Sequence, residues 1–236
     1  MNILIFNQKG GVGKTTTALN LGVGLARSSS FPVTLVDLDP QTHLTAALGL
    51  KAEDFAWNVS DWLANRKGSP HIIGDNLSLI VGDSQPETMP TIVPFPIKHD
   101  GFFIIDAPPV WNQTVAHLMT QADWILTPLE PEFLSMQGVS RLFQTMERQS
   151  IPRSRMRLLL CRFDARLVVH REVRENLTQR FSDNLLNGVI RKSVRLAESP
   201  SYGWSIFDYA PDSSGANDYQ SLTNYWLRQK HLKTQE

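Results

Sequence analysis

A glycine-rich loop lies between an apolar run and an amphipathic stretch at the start of the chain. Residues 2–6 (Asn-Ile-Leu-Ile-Phe) form a short apolar run typical of a buried parallel strand. Residues 15–27 have the apolar spacing of a helix, with small and aliphatic residues on one face. The segment between them is Lys9-Gly10-Gly11-Val12-Gly13-Lys14-Thr15-Thr16. A strand, a glycine turn and a helix in this order predict a βα unit whose turn is unusually tight.

This loop is predicted to bind the phosphates of ATP. Glycines let backbone amides turn inward without Cβ clashes, and the helix N-terminus adds a positive dipole. Lys14 is placed to reach the β- and γ-phosphates, and the Thr15 hydroxyl to ligate Mg²⁺. The alternative is a purely structural turn, which the order strand, turn, lysine, threonine and helix disfavours. The predicted ATP contacts are Gly10, Gly11, Val12, Gly13, Lys14, Thr15 and Thr16.

Carboxylates follow two further apolar runs. Asp37 and Asp39 end the second run, and Asp106 follows an apolar run later in the chain. Carboxylates at the carboxyl ends of parallel strands face the ligand crevice of such sheets. Either group alone could simply cap a loop. Together, after a phosphate loop, they predict a Mg²⁺ and water site beside the nucleotide.

Strand-like and helix-like segments alternate along the 236 residues. This alternation predicts an α/β fold, a doubly wound and mostly parallel sheet with helices on both faces, in one domain over residues 1–236. Residues 86–96 contain four prolines and are predicted to form an irregular connection. The predicted strands are 2–6, 33–36, 77–81, 102–105, 124–127 and 156–160. The predicted helices are 15–27, 113–121, 132–149, 168–181 and 216–228.

Composition limits the functional classes. Lysine plus arginine equals aspartate plus glutamate at 23 each, so a nucleic-acid surface must be a local basic patch. Cys161 is the only cysteine, which excludes an intramolecular disulfide and fits a reducing cytoplasm. No apolar run approaches the roughly 20 residues that span a bilayer, and the N-terminus lacks the pattern of a signal peptide.

These motifs resemble the ParA/Soj branch of the ParA/MinD superfamily, the P-loop ATPases with a deviant Walker A loop. The loop begins with Gln8 where the standard pattern has glycine, and it carries the additional Lys9. The resemblance covers nearly the whole chain. Its specific stretches are residues 7–17, 37–41, 102–109, 126–128, 194–203 and 214–219.

The resemblance implies an ATP hydrolase that forms a homodimer with ATP. Lys9 resembles the signature lysine that reaches the partner's phosphates, where it would stabilise transition-state charge. Asp39 resembles the residue that orients the attacking water. Catalytic roles therefore fall on Lys9, Lys14 and Asp39. Magnesium roles fall on Thr15, Asp37 as a supporting group, and Asp106 as the Walker B acid.

The resemblance also implies ATP-dependent, sequence-nonspecific DNA binding, a nucleoid-associated cytoplasmic location and an adaptor of the ParB type. Arg191, Lys192 and Arg195 are the candidate DNA contacts. By composition alone they could equally form a solvated charged turn. Ser214 replaces an arginine common in the family, which weakens the expectation of DNA binding. The cargo, a plasmid, a chromosome or a protein compartment, is not encoded in these motifs.

Two other functions remain open. A MinD-like membrane ATPase needs a C-terminal amphipathic helix. Tyr219, Leu222, Tyr225 and Trp226 form such a stripe, with Arg228, Lys230 and Lys233 after it, although a stripe of this kind more often docks on its own domain. A metabolic ligase of the same fold, such as one resembling dethiobiotin synthetase, would not need the trans-acting Lys9.

Overall fold

The computed structural model describes residues 1–85 and 100–234. In this part of the chain the strands are β1 Asn2–Ile5, β2 Val33–Asp37, β3 His71–Gly74, β4 Leu77–Ile80, β5 Phe102–Asp106, β6 Trp124–Leu129, β7 Met156–Phe163 and β8 Leu185–Arg191. The α-helices are α1 Lys14–Ser28, α2 His43–Ala47, α3 Val59–Leu63, α4 Gln113–Gln121, α5 Phe133–Arg148, α6 Val168–Phe181, α7 Val194–Glu198, α8 Ile206–Tyr209 and α9 Ser214–Thr234.

The described strands form one sheet in the order β3-β4-β2-β5-β1-β6-β7-β8. Every neighbouring pair is parallel except the β3–β4 hairpin at one edge. Strands β1 and β2 are buried along their whole length, as expected for strands that are apolar apart from Asn2, Thr34 and Asp37. The predicted α/β fold with a mostly parallel sheet is therefore confirmed.

Helices cover both faces of the sheet. On one face, α4, α5 and α6 pack through buried residues such as Leu118, Leu142 and Leu177. On the other face, α1 and α9 pack through residues such as Leu19 and Trp226. Each face contributes its own apolar cluster, so the sheet is the middle layer of three.

The sheet order places the glycine loop at its centre. β1 lies between β5 and β6, so the chain that leaves β1 enters the crevice where the winding direction reverses. Ile5 and Asp37 are both in register with Asp106 of β5. The carboxyl ends of β1, β2 and β5 therefore bring the loop and the predicted magnesium carboxylates to one edge.

Two strands were absent from the sequence prediction. β8 contains Asn187 and Gly188, a pair typical of turns. Here they form a bulge, because the pairing with β7 passes from Leu158↔Leu185 to Leu160↔Val189. β3 is exposed except at the half-buried Ile73, and this single inward residue gives no alternating strand pattern in the sequence.

The last helix begins earlier and ends later than the predicted 216–228. The Ser213 hydroxyl accepts a hydrogen bond from the Ala216 N–H (3.2 Å), as an N-cap does, so the helix starts at Ser214. The predicted irregular connection over residues 86–96 lies outside the described residues.

Candidate functional site

The glycine loop has the backbone that phosphate binding needs. Gly11 and Gly13 have φ of 76° and 94°, left-handed conformations that favour glycine. Gly13 precedes α1, and its carbonyl accepts the first helical hydrogen bond, from Thr17 N–H at 2.9 Å. The amides of the first turn therefore point out of the helix toward the loop, where an anion would be bound.

Lys14 lies inside this loop rather than in solvent. Its residue is only 7% exposed, and its Nζ donates to the Lys9 carbonyl at 3.4 Å. Burial lowers the pKa of Lys14, while the charges of Asp106 and Asp39 oppose that effect. The ammonium group is thus held near both acids, at the position predicted for a phosphate contact.

The three predicted magnesium residues meet at the ends of β2, β5 and the glycine loop. Thr15 Oγ1 donates to Asp106 Oδ2 at 2.6 Å. Asp37 Oδ2 accepts from the backbone N–H of Thr45 (2.8 Å) and from its hydroxyl (2.7 Å). Among the residues that the structure describes, the buried Oδ1 atoms of Asp37 and Asp106 have no hydrogen-bond partner.

These unpartnered oxygens fit a divalent cation. Burial raises the pKa of Asp106 to about 8, with a further contribution from the charge of Asp37. Burial likewise raises the pKa of Asp37 to about 6 against the hydrogen bonds from Thr45. A cation would neutralise both groups and satisfy both oxygens.

The donor set suits Mg²⁺ in particular. This ion binds one or two carboxylates, a hydroxyl, water and substrate phosphates rather than a protein cage. No group of three or more His, Cys, Asp or Glu side chains placed to hold a metal occurs among the described residues. Water and nucleotide oxygens would therefore complete the coordination of an ion at Thr15 and Asp106.

Asp39 lies in a hydrogen-bonded turn that follows β2. Its side chain accepts from the Gln41 N–H at 3.0 Å, and its carbonyl accepts from the Thr42 N–H at 2.8 Å. Thr42 has a left-handed φ of 50°, after which α2 starts at His43. Asp39 is buried and close enough to Lys14 to influence its pKa. The structure therefore places it at the phosphate end of the loop.

The side chain of Lys9 contacts two glutamates that follow β6. Its Nζ is 2.6 Å from Glu132 Oε2 and 3.5 Å from Glu130 Oε2, and its side chain is 46% exposed. Neither glutamate was identified from the sequence, because no local motif marks them. The signal that could have found them is that acids follow β6 at the same edge of the sheet.

The three candidate DNA contacts do not form a free cationic surface. Arg191 ends β8 and donates to both carboxylate oxygens of Asp218, at 2.7 Å and 3.0 Å. Arg195 lies in α7, where it pairs with Glu198 at 3.7 Å and covers the Tyr209 ring. Arg191 and Arg195 therefore already have anionic partners within the chain. The three basic residues lie near one another along the chain, as the sequence predicts.

The apolar stripe at the C-terminus is docked on the sheet. Tyr219, Leu222 and Trp226 are buried in the α1 and α9 layer. Lys230, one of the basic residues that follows the stripe, is also buried and donates to the Gly101 carbonyl at 3.3 Å. The side chain of Lys233 lies beyond those that the structure describes. No helix in the described ranges is long and apolar enough to cross a membrane.

A narrow cavity opens beside the phosphate loop. It is lined by residues from the loop, from β7 and from α7, among them Gly13, Thr16, Cys161 and Leu196. Tyr219 also lines the cavity, and its hydroxyl is 3.2 Å from Thr17 Oγ1. Burial raises the pKa of the Cys161 thiol to about 12, so the thiol is not a nucleophile.

Comparison with known proteins gives one consistent family. The CobQ/CobB/MinD/ParA nucleotide binding domain matches residues 3–206. The chromosome-partitioning ATPase Soj of Thermus thermophilus is 33% identical over 231 residues, which cover 93% of this chain and 92% of the relative.

Two solved structures have the same fold. The putative plasmid partition protein of Borrelia burgdorferi bound to AMPPNP superposes with a TM-score of 0.78 at 20% identity, covering 97% of this chain and 98% of that chain. The septum site-determining protein MinD of Pyrococcus horikoshii complexed with Mg-ADP gives 0.75 at 21% identity, covering 94% and 93%. Since the matched domain spans most of the described sheet, the chain belongs to the CobQ/CobB/MinD/ParA family of nucleotide-binding proteins.

Proposed function

We propose that the chain is a ParA-like ATPase that hydrolyses ATP to ADP and phosphate and uses the cycle to position or partition a cargo. The observation that carries this proposal is the buried Lys14, whose pKa responds to the charge of Asp106, together with the Oδ1 atoms of Asp37 and Asp106, which have no hydrogen-bond partner among the described residues. Lys14 would bind the β- and γ-phosphates, while Thr15 and Asp106 would hold Mg²⁺ with Asp37 in support. Asp39 would orient the attacking water.

The nucleotide assignment has support from the fold relatives. The two solved structures carry AMPPNP and Mg-ADP. In this chain the backbone amides of the glycine loop offer sites for the phosphates, and a narrow cavity lies next to Gly13.

ATP would also join two copies of the chain. Lys9 has an exposed side chain on the outer side of the loop, from which it could reach the phosphates bound to a partner. A cation supplied in trans would stabilise developing phosphate charge and make hydrolysis depend on dimerisation. This requirement for a dimer separates the proposal from a metabolic ligase, which needs a small-molecule substrate instead.

The dimer would then bind DNA without sequence preference on the nucleoid, and an adaptor of the ParB type would stimulate hydrolysis. One neutral chain offers few phosphate contacts, so affinity would come from the doubled patch in the dimer. A MinD-like membrane role has less support, because the apolar residues of α9 that could enter a bilayer pack against the sheet.

A mobility shift with ATP or ADP over a salt series tests the DNA part. We expect binding only with ATP, steep loss of affinity with salt and equal binding to unrelated sequences. Charge removal at the predicted patch should lower the salt slope by about one for each DNA phosphate that the chain no longer neutralises. That patch is Arg191, Lys192 and Arg195, and a matched control removes the charges of Arg66, Lys67 and Arg148. Absence of binding by the unmodified chain with ATP at low salt would exclude the nucleoid role.

A further inference from the structure

The ammonium group of Lys9 is held by carboxylates of its own chain. Glu132 Oε2 accepts its hydrogen bond at 2.6 Å, and Glu130 Oε2 lies 3.5 Å away. The hydrogen bond with Glu132 raises the pKa of Lys9, and Lys9 in turn lowers the pKa of Glu132. In the nucleotide-free chain the lysine is therefore charged and forms a salt bridge with Glu132 of the same chain.

The two glutamates are not equivalent. Glu130 is 15% exposed in its side chain and already accepts from Arg162 at 2.5 Å, so its charge is compensated without Lys9. Arg162 itself has a left-handed φ of 53° and lies at a pairing irregularity of β7 with β8. Glu132 is 48% exposed and forms the shorter contact with the lysine. Glu132 is thus the group that determines where the ammonium lies.

Only the side chain of Lys9 is free to leave this position. The backbone N–H of Lys9 donates to Asn7 Oδ1 at 3.0 Å, and Asn7 Nδ2 donates to the Pro128 carbonyl at 2.8 Å. These bonds tie the first part of the loop to the end of β6. A transfer of the ammonium to a phosphate or another carboxylate therefore requires at least side-chain rotation and rupture of the Glu132 contact.

We infer that Glu132 is a positioning residue that holds Lys9 against its own chain until ATP-bound dimerisation withdraws it. The inference rests on the proposed trans role of Lys9. The Lys9–Glu132 pair has to break when the lysine crosses, so it opposes dimerisation. An exposed pair of this kind changes an equilibrium by about two- to fivefold. Glu132 therefore sets the ATP and protein concentrations at which the dimer forms.

The monomer arm of the test measures the reactivity of Lys9 itself. The nucleotide-free chain is treated with an amine acylating reagent, and labelling of Lys9 is followed by mass spectrometry. Glu132→Gln should increase the labelling rate about two- to fivefold, because only the neutral amine reacts and the carboxylate favours the charged form. The labelling rate of Glu132→Asp should lie between the rates of the unmodified chain and of Glu132→Gln. The control Glu147→Gln, which removes a carboxylate from an exposed pair with Arg153, should leave Lys9 unchanged.

The dimer arm uses sedimentation velocity with a slowly hydrolysed ATP analogue. Glu132→Gln should lower the dimer dissociation constant about 4- to 25-fold at low salt, because one such pair breaks in each of the two chains. The difference should vanish near 1 M salt, where the Debye length is about 3 Å. Unchanged Lys9 labelling would overturn the inference, and so would faster labelling combined with a weaker dimer. If the unmodified chain forms no dimer, the proposed function fails, while the labelling result still decides whether Glu132 holds Lys9.

Discussion

At the scale of single residues, Lys14 has the most defined environment in the site. It is buried, its amine is held within the loop, and both neighbouring acids favour its charged form. Lys14→Ala should lower ATP affinity at least about tenfold, since a charge-assisted contact contributes ~1.5–3 kcal/mol. Titration with a fluorescent ATP analogue measures this, with the exposed Lys67→Ala as control. Equal affinities in the two variants would exclude the phosphate role of Lys14.

The buried carboxylates should make the nucleotide-free chain sensitive to pH. Asp106 has a pKa of about 8 in the folded chain against 3.8 for an ordinary aspartate. The folded chain therefore holds this proton over a range in which the unfolded chain has lost it. The free energy of unfolding should consequently fall as the pH rises from about 4 to 8, and it should level off above that.

Asp106→Asn removes this titration while keeping an oxygen for Thr15. Without magnesium and at pH 8, we expect the variant to melt at least about 2–4 °C higher than the unmodified chain, the shift that ~1 kcal/mol produces at this size. At pH 4 the melting temperatures of the variant and the unmodified chain should be equal. Thermal melts at both pH values, with the exposed Asp212→Asn as control, measure the effect. A lower melting temperature at pH 8 would show that the ionised carboxylate stabilises the free chain.

At the scale of elements, the sequence predicts the helices and strands whose apolar spacing is visible within the element itself. The predicted bounds of α4 and α6 agree with the observed ones, since the residues that each helix buries recur at helical spacing: Val115, Leu118 and Met119 in α4, and Val173 and Leu177 in α6. β8 was missed because the Asn187-Gly188 bulge looks like a turn, and only its pairing with β7 makes it a strand. β3 is exposed and depends on the hairpin with β4.

In the candidate site, too, some groups could be predicted from the sequence and others could not. The glycine loop, Asp37 and Asp106 follow strand ends, so their convergence could be predicted from parallel pairing alone. The partners that hold them could not. Thr45 binds Asp37 from the following helix, and Glu132 is 123 residues from Lys9. Such contacts depend on tertiary packing, which leaves no spacing rule in the sequence.

The docking of α9 gives a prediction about stability. Trp226 is fully buried and meets Trp124 edge to face, with ring centroids 5.7 Å apart. Trp226→Ala should destabilise the chain by about 3–5 kcal/mol, as expected when a large aromatic side chain is removed from a packed core. Urea unfolding measures this, and the exposed Leu232→Ala should stay within about 0.5 kcal/mol of the unmodified chain. A destabilisation below about 1 kcal/mol for Trp226→Ala would mean that α9 is free to bind elsewhere.

At the scale of the whole molecule, one edge of the sheet collects the functional groups. The glycine loop, Asp39, Asp106 and the Lys9 pair all lie at the carboxyl ends of β1, β2, β5 and β6. Because the net charge is zero, attraction of DNA would have to come from a local basic patch. A second copy docked over this edge would cover the nucleotide, bring the two lysines to the shared site and double each surface patch.

ATP-dependent dimerisation of Asp39→Ala, followed by sedimentation velocity, tests the proposed switch most directly. Loss of the carboxylate that we propose to orient the attacking water should leave ATP binding intact and slow hydrolysis, which traps the ATP state. We predict a dimer with Mg·ATP and a monomer with ADP. Lys9→Gln in the same background should bind ATP and remain monomeric. A monomer of Asp39→Ala that is saturated with Mg·ATP would contradict the proposal that ATP joins two copies of this chain.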